Sequence, residues 1–377
     1  MSHPLFSPFQ LRSLVFANRI GVSPMCQYSS QDGFATDWHL VHLGARAQGG
    51  AGLVTLEASA VTPEGRISPG DLGIWKDDHI PALARIAAFI HSQGAQAGIQ
   101  LAHAGRKASM SVPFAGERLL QPSEGGWQPV APSAIPFSPA YAVPQALDLD
   151  GLRAIVEAFR LAARRALAAG FHFVEIHAAH GYLLHEFLSP IANQRTDGYG
   201  GDLVQRTRFG SEVIRAVRRR VGPEFPIIFR FSQWKLQDYE ARLVQTAEEL
   251  GRFLKPLTEA GVDIFHCSTR RFWEPEFMGS NLNLAGWTKQ LTGHPTITVG
   301  SVGLQGDDFI RGFRAKPDTL TEVADLRELD QRLANEEFDL VAVGRALLQD
   351  PAWAAKIREG RTGELQAFSK QAFATLS

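Results

Sequence analysis

Two histidines and a tyrosine lie close together in the segment His177-Ala-Ala-His180-Gly-Tyr182. The segment follows an apolar run typical of a buried strand, and on a turn after a strand the side chains at i and i+3 point the same way. Two imidazoles so placed could bind a metal ion, or donate hydrogen bonds to an oxygen that gains negative charge. A purely structural pair is the third alternative. Tyr182 adds a phenol that can release a proton, and two donors with one acid favour reduction of a conjugated carbonyl over hydrolysis.

Two glycine-containing segments have the chemistry of a phosphate site. They are Gly300-Ser301-Val302-Gly303 and Gly344-Arg345, and each follows a predicted strand. Glycine lets the backbone approach a phosphate, whose oxygens accept hydrogen bonds from backbone N–H groups, and Arg345 can pair with it bidentately. Glycines are also ordinary turn residues, but two such segments after neighbouring strands favour a phosphate ligand.

The chain has two cysteines, and they differ in their surroundings. A lone cysteine is more often a small buried hydrophobe than a reactive group. Cys26 nevertheless lies at a predicted strand end beside Met25 and Tyr28, which favours a role in a redox site. Cys267 has no such flanking pattern and is predicted to lie in the core.

The strands that must position these residues are short β-branched runs that recur along the chain. We predict eight of them: Ile20–Pro24, Leu53–Ser59, Gln96–Leu101, Phe173–His177, Ile227–Phe231, Ile264–Ser268, Thr296–Val299 and Leu340–Val343.

Amphipathic stretches between these runs predict helices. They include Ile80–Gln93, Asp150–Ala169, Leu203–Val221, Arg242–Ala260 and Leu326–Ala334. Gly94, Gly170 and Gly261 follow helices and suit a left-handed C-terminal cap. Strand–helix alternation predicts parallel pairing and a (β/α)8 barrel, with residues 1–377 as one domain. A doubly wound sheet is the alternative, but no predicted strand is followed by G-x-G-x-x-G.

Two long connections interrupt the alternation. Residues 107–145 are rich in Pro, Gly and Ser without a sustained period, and they follow the third strand, so they are predicted to form a lid over the active-site face. A surface excursion without a role is the alternative. Residues 304–337 are predicted to be a charged surface elaboration.

The bulk composition narrows the classes of partner. The formal net charge of −1 gives no long-range attraction to nucleic acid or acidic lipid. No apolar run is long enough to span a bilayer, no secretory signal is visible, and two cysteines argue against a disulfide framework. We expect one large cytoplasmic domain with a small-molecule partner, and this domain could form a homo-oligomer. The composition does not say which chemistry the domain carries.

In their order along the chain these segments resemble the Old Yellow Enzyme family of FMN-dependent ene-reductases. The resemblance covers most of the chain, and Ser23-Pro24-Met25-Cys26 with Tyr28 is similar to the thermophilic-like branch. The motifs that carry it are GIQLAHAGRKA, HAAHGYLLHEFLSPIANQRTDGYGG, RFS, GSVGL and VGRALLQDP.

The resemblance implies tightly bound FMN, with NADPH or NADH as reductant, and an activated alkene as substrate. Gln100 and Arg230 would bond the pyrimidine edge of the flavin. His177 and His180 would hold the substrate carbonyl oxygen, Tyr182 would protonate the α-carbon, and Tyr28 would be a further donor. The remaining flavin-binding residues that it implies are Ser23, Pro24, Met25, Cys26, Ala58, Gly300, Ser301, Gly344 and Arg345, with Cys26 also tuning the flavin.

The chain departs from the family pattern in several segments, two of which bear on the site. Arg270–Phe277 is bulkier and more charged than in many relatives, and we predict that Trp273 narrows the substrate pocket over the flavin. No arginine follows Arg361, so a site shared with a neighbouring subunit is not expected.

Three rival functions stay open at this stage. The same barrel could oxidise cyclic amines, or bind FMN without catalysis. His177, His180 and His103 could instead bind a metal for hydrolysis or aldol chemistry, although no strand-end aspartate accompanies them, and we predict no metal.

Overall fold

The computed structural model describes residues 3–236, 238–305 and 320–376. Eight parallel strands close into a barrel in the order β3-β4-β5-β8-β9-β10-β11-β12, which confirms the predicted (β/α)8 fold. The barrel strands are β3 (Ile20–Val22), β4 (Leu53–Ala60), β5 (Gln96–Ala102), β8 (Phe173–His180), β9 (Ile227–Lys235), β10 (Ile264–Ser268), β11 (Thr296–Val299) and β12 (Leu340–Val343). The remaining strands are β1 (Phe9–Leu11), β2 (Leu14–Phe16), β6 (Val130–Ala131) and β7 (Gln145–Ala146).

Helices separate the barrel strands. Those in the described ranges are α1 (Asp37–Gln48), α2 (Ile80–Ser92), α3 (Leu149–Ala168), α4 (Leu183–Leu188), α5 (Leu203–Arg206), α6 (Arg208–Val221), α7 (Ala247–Ala260), α8 (Leu284–Thr292), α9 (Arg327–Ala334), α10 (Arg345–Gln349) and α11 (Trp353–Arg358). No helix in the described ranges is long and apolar enough to cross a membrane.

Two predicted helices differ from the structure, whereas the other three agree to within one residue at each end. The helix predicted over Leu203–Val221 is divided at Thr207. The helix predicted to begin at Arg242 begins at Ala247, because Thr246 is extended and its side chain caps the N–H of Glu249. The predicted caps are confirmed: Gly94, Gly170 and Gly261 all have positive φ.

The barrel interior is built in layers, because alternate residues of each strand point inward. The amino-terminal layer is apolar: Phe173, Ile228 and Ile264 pack in one cluster with Phe16, from the hairpin of β1 and β2. Phe16 is fully buried and meets Phe173 edge to face, so the hairpin plugs this end of the barrel.

Two residues further along the same strands, the interior becomes polar. Glu175 follows Phe173 on β8, Arg230 follows Ile228 on β9, and His266 follows Ile264 on β10; all three are buried. A third step brings His177, Ser232 and Ser268 to the carboxyl ends of these strands. The chemistry-bearing residues therefore lie on the face where barrel active sites form.

The lid predicted over 107–145 contains short turns and the two-residue strands β6 and β7, and it is fastened at several points. Arg106 donates to the carbonyls of Ile135 and Pro136, and the Trp127 indole donates to the Glu64 carbonyl. Of the elaboration predicted over 304–337, residues 306–319 lie outside the described ranges, and the described remainder includes α9.

Candidate active site

His177 and His180 lie at the carboxyl end of β8, with ring centroids 5.2 Å apart and planes inclined by 76°. The Tyr182 ring lies 5.0 Å from that of His177. The predicted convergence is confirmed, but its predicted cause was wrong. Both histidines belong to the strand, where residues three apart would face opposite ways. A bulge between Ala178 and His180 changes the register, and His180 has a φ of +64°.

The imidazoles of this pair are neutral. Burial lowers the pKa of both His177 and His180 well below the ordinary value, and the nearby charge of Arg230 adds to the effect. The Nδ1 of His177 accepts a hydrogen bond from the Ala179 N–H at 3.4 Å, so its single proton is on Nε2. His177 is therefore a hydrogen-bond donor through Nε2.

Tyr182 is a protonated phenol at the N-cap of α4. Burial raises its pKa well above the ordinary value, so the hydroxyl keeps its proton at neutral pH. The same side chain lines a small cleft with Ala58, Asp71, His103 and His177. Phenol and imidazole thus face one space.

Gln100, Glu175, Arg230 and His266 form a buried polar network below the histidines. The carboxylate of Glu175 accepts from Gln100 Nε2 at 2.6 Å and lies 2.7 Å from His266 Nδ1. This orientation leaves the side-chain amide oxygen of Gln100 available as an acceptor.

Arg230 is incompletely satisfied by this network. Its guanidinium reaches Ser23 Oγ at 3.5 Å, Ser268 Oγ at 3.4 Å and Glu175 Oε1 only at 3.9 Å, and its buried Nε has no partner among the described residues. A buried cation with such long contacts suits an electronegative group that is bound from outside the chain. A flavin pyrimidine edge, which offers carbonyl oxygens and ring nitrogens, fits this requirement.

The segment after β3 lies against the segment after β12. The Ser23 N–H donates to the Val343 carbonyl, and a Cβ built on Gly344 would lie 3.6 Å from Met25 Sδ. Pro24 and Met25 are half-buried, whereas Ala58 is buried on β4 and pairs in register with Gln100. These contacts bring residues that are distant in the sequence to one side of the barrel mouth.

Gly300, Ser301, Gly344 and Arg345 meet in one corner of the barrel mouth. Arg345 Nη2 donates to Ser301 Oγ at 3.0 Å, and Gly344 caps the N-terminus of α10. Gly300 has a φ of +140°, and a Cβ there would lie 2.7 Å from the Arg271 nitrogen. The corner, which the sequence predicts as a phosphate site, combines close backbone approach, a hydroxyl and a guanidinium.

Cys26 and Tyr28 are close to the phenol of Tyr182. Burial raises the pKa of the Cys26 thiol, as do the carboxylates of Glu57 and Asp71, and burial likewise raises that of Tyr28. Cys26 is therefore a neutral thiol, and Tyr28, whose φ is +51°, is a neutral phenol. Cys267, predicted to be core, is fully buried in the apolar cluster.

Lys107 belongs to the site, although the sequence analysis assigned it no role. Its ammonium lies 3.8 Å from the centre of the Tyr182 ring and 3.4 Å from the His180 carbonyl oxygen. The motif GIQLAHAGRKA contains it, but neither its type nor its spacing indicates this contact. Glu175 was missed as well, although it is two residues before His177 and so shares its face of β8.

Trp273 meets the ring of Phe272 edge to face, and its carbonyl accepts from Arg332 on α9. Its predicted place over the flavin stays a prediction. His103 lines the cleft, where its Nδ1 accepts from the Gly105 N–H. Within the described part of the chain, no three His, Cys, Asp or Glu side chains are grouped as metal ligands.

The barrel fold and the residues at the barrel mouth define a class of protein: an α/β-barrel enzyme whose site suits a planar, phosphate-bearing cofactor. Residues 4–364 match the model of the NADH:flavin oxidoreductase / NADH oxidase family. The chain belongs to this family of flavin oxidoreductases, the Old Yellow Enzyme family, as its motifs predict.

Relatives and solved structures agree with that assignment. The chain is 41% identical over 353 residues to an NADPH dehydrogenase of Bacillus cytotoxicus, covering 93% of this chain and 91% of the relative. It is 41% identical over 360 residues to an NADPH dehydrogenase of Listeria innocua, with 94% of each chain covered. Morphinone reductase superposes with a TM-score of 0.77 at 28% identity, covering 98% of this chain and 92% of that one. The predicted class of activity, flavin-dependent oxidoreduction with a reduced nicotinamide, is confirmed at the level of the family.

Proposed function

We propose that residues 1–377 act as one FMN-binding domain that reduces the activated C=C bond of α,β-unsaturated carbonyl compounds at the expense of NADPH or NADH. The observation that carries the proposal is the pair of neutral imidazoles, with centroids 5.2 Å apart, beside a buried arginine. Neutral donors suit a carbonyl oxygen that is uncharged in the ground state and becomes negative during reaction.

FMN would be held by three groups of residues. Gln100 and Arg230 would bond its pyrimidine edge. The ring would lie along Ser23, Pro24, Met25, Cys26 and Ala58, and the phosphate would bind to Gly300, Ser301, Gly344 and Arg345. When bound, FMN supplies reversible storage of a hydride equivalent between the two substrates. Arg230 would favour the reduced, anionic form by its positive charge.

His177 and His180 would bind the carbonyl oxygen of the substrate, and Tyr28 would be a further donor. As the alkene accepts a hydride at its β-carbon, negative charge grows on that oxygen. Each imidazole donor can stabilise this charge by about 3 kcal/mol relative to its absence, the magnitude found for single oxyanion donors. The pair would therefore contribute in the transition state more than in the ground state.

Tyr182 would complete the reaction by protonating the α-carbon. Its O–H bond breaks, the new C–H bond forms, and the phenolate regains a proton from solvent. General acid catalysis of this kind contributes about 10²–10⁴-fold. Lys107, above the ring, would stabilise the transient phenolate when its amine is protonated.

Anaerobic absorbance spectroscopy tests the activity. The purified protein is expected to be yellow, to bleach on addition of NADPH, and to regain its colour on addition of cyclohexenone. Bleaching without recovery would show a reductase for a different oxidant, and protein that never bleaches would contradict the proposal.

A double variant tests the carbonyl clamp. His177→Ala with His180→Ala should retain FMN but weaken the binding of 4-hydroxybenzaldehyde and slow cyclohexenone reduction by at least about 10²-fold. The matched control is His91→Ala with His172→Ala, a stacked histidine pair with centroids 3.8 Å apart that includes no residue of the site. Equal enone kinetics in the two double variants would refute the assignment.

A further inference from the structure

The ring of His180 is the first member of a stacked column. Trp234 stacks on His180 at 4.7 Å with an interplanar angle of 28°, and Tyr239 stacks on Trp234 at 5.2 Å and 17°. The guanidinium of Arg270 lies 4.7 Å from the centre of the Tyr239 ring. Here the column means His180, Trp234, Tyr239 and Arg270. The Trp234 indole is thus stacked on two rings, and these contacts constrain its orientation.

The backbone of His180 is strained and held at both ends. Its φ of +64° is unusual for a residue with a Cβ. Its N–H donates to Ser232 Oγ at 3.0 Å, and its carbonyl accepts from Lys107 Nζ at 3.4 Å. Strain of this kind persists only where the surroundings over-determine the conformation, and it concentrates at functional positions.

The hydrogen bond to Ser268 determines which ring nitrogen of His180 carries the proton. Its Oγ lies 2.7 Å from His180 Nε2 and accepts from Arg230 Nη2 at 3.4 Å. An arginine only donates, so among the described residues His180 Nε2 is the one acceptor within reach of the Ser268 hydroxyl proton, and the arrangement that leaves no donor unpaired directs that proton to Nε2. Because burial keeps His180 neutral, its own proton is then on Nδ1. The Trp234 indole N–H also donates to the Ser268 carbonyl, at 3.0 Å, which joins the column to this serine.

We infer that Ser268 and Trp234 are positioning residues that hold His180 as an Nδ1–H donor, opposite in tautomer to the Nε2–H donor His177. The part that concerns the substrate oxygen rests on the proposed function. Nδ1 is the one polar atom of His180 with no partner among the described residues, so the remaining donor is the one free to meet a ligand.

The tautomers can be measured without any substrate. Holoenzyme labelled with ¹⁵N-histidine should show, in a long-range ¹H–¹⁵N spectrum, an Nδ1–H pattern for His180 and an Nε2–H pattern for His177. Signals are assigned from their loss in His180→Gln and His177→Gln. Ser268→Ala should convert His180 to the Nε2–H form or to a mixture. An Nε2–H pattern for His180 in the wild-type protein would overturn the inference.

Ligand affinity tests the stacking. Trp234→Ala should raise the Kd of 4-hydroxybenzaldehyde, followed by the perturbation of flavin absorbance, by about five- to tenfold, since aromatic pairs contribute on the order of 1 kcal/mol. Trp234→Phe, which keeps a ring but not the indole N–H, should recover most of that affinity. Unchanged affinity and an unchanged His180 signal in Trp234→Ala would contradict the role of the column. If the wild-type protein shows the expected tautomers but does not reduce enones, the proposed function is contradicted and the inference about the tautomers is not.

Discussion

The ammonium of Lys107 lies 3.8 Å from the centre of the Tyr182 ring, over its face. The two residues come from the ends of different barrel strands, one after β5 and the other after β8. Burial lowers the pKa of Lys107 to about 7, whereas it raises that of Tyr182. A proton donor and a weakly basic amine are thus held together next to the imidazole pair.

Replacing Tyr182 by phenylalanine should separate the two half-reactions. We expect Tyr182→Phe to slow the oxidative half-reaction with cyclohexenone by about 10²–10⁴-fold, because the α-carbon loses its proton donor. Flavin reduction by NADPH needs no such proton and should stay within a few-fold of the wild-type rate. Anaerobic stopped-flow spectroscopy measures both rates.

The control for this variant is Tyr199→Phe, which removes a phenol bonded to Glu212 outside the site. A Tyr182→Phe protein that reoxidises with cyclohexenone as fast as Tyr199→Phe would show that another group delivers the proton.

The predicted phosphate site, formed by Gly300, Ser301, Gly344 and Arg345, should not tolerate a side chain at position 300. A Cβ there would lie 2.7 Å from the Arg271 nitrogen and 2.8 Å from the Arg270 carbonyl carbon, both backbone atoms that cannot move aside cheaply. Gly300→Ala is therefore expected to raise the Kd for FMN at least about tenfold, as the corner is displaced.

The ratio of FMN to protein after gel filtration measures this loss. Gly94→Ala is the matched control, because Gly94 also has a positive φ but a Cβ there would meet nothing within 4 Å. Equal FMN retention in both variants would argue against the phosphate assignment.

The buried carboxyl group of Glu186 should make the free energy of unfolding fall as the pH rises. Burial raises its pKa to about 8, above its ordinary value of 4.5. Between these values the unfolded chain releases a proton that the folded chain retains, so the free energy of unfolding falls with pH. The limiting slope is about 1.4 kcal/mol per pH unit.

Glu186→Gln mimics the protonated acid and keeps an acceptor for the Arg106 N–H. Its free energy of unfolding, measured by urea denaturation from pH 4.5 to pH 8, should therefore decline less than that of the wild type. Glu259→Gln reports the effect of removing an exposed carboxylate. A Glu186→Gln profile parallel to the wild-type profile would mean that the carboxyl is ionised in the folded state.

Trp273 should limit the size of the substrate. If it narrows the pocket, Trp273→Ala should raise kcat/KM for a bulky enone relative to cyclohexenone by about tenfold, within the range expected for a changed apolar contact. Phe114→Ala, in which an exposed lid side chain is shortened, is the control. Unchanged turnover of both substrates would show that Trp273 does not limit the size of the substrate pocket.

Several features could be predicted from local sequence because local physics decides them. The bounds of β10, β11 and β12 agree with the predicted runs to the residue, since short segments buried on both faces are typical of parallel barrel strands. The helix ends at Gly94, Gly170 and Gly261 follow from the low cost of positive φ at glycine. The sequence also placed Gly300-Ser301 and Gly344-Arg345, the predicted phosphate site, at the ends of neighbouring strands.

The contacts of His180 could not be predicted in this way. Its alignment with His177 depends on a bulge in β8, and its partners Ser268 and Trp234 come from two other strands. Lys107 was missed for the same reason, because a lysine in a motif gives no indication that it will lie over a tyrosine 75 positions later.

The sequence by itself therefore determined which residues lie at the carboxyl ends of the barrel strands, because alternation along each strand is a local property and the order of strands along the chain is read directly. The tertiary structure alone decided how those residues meet. Register between strands, the bulge in β8 and burial in a region of low dielectric set the distances, the tautomers and the protonation states, and these depend on atoms that are far apart in the chain.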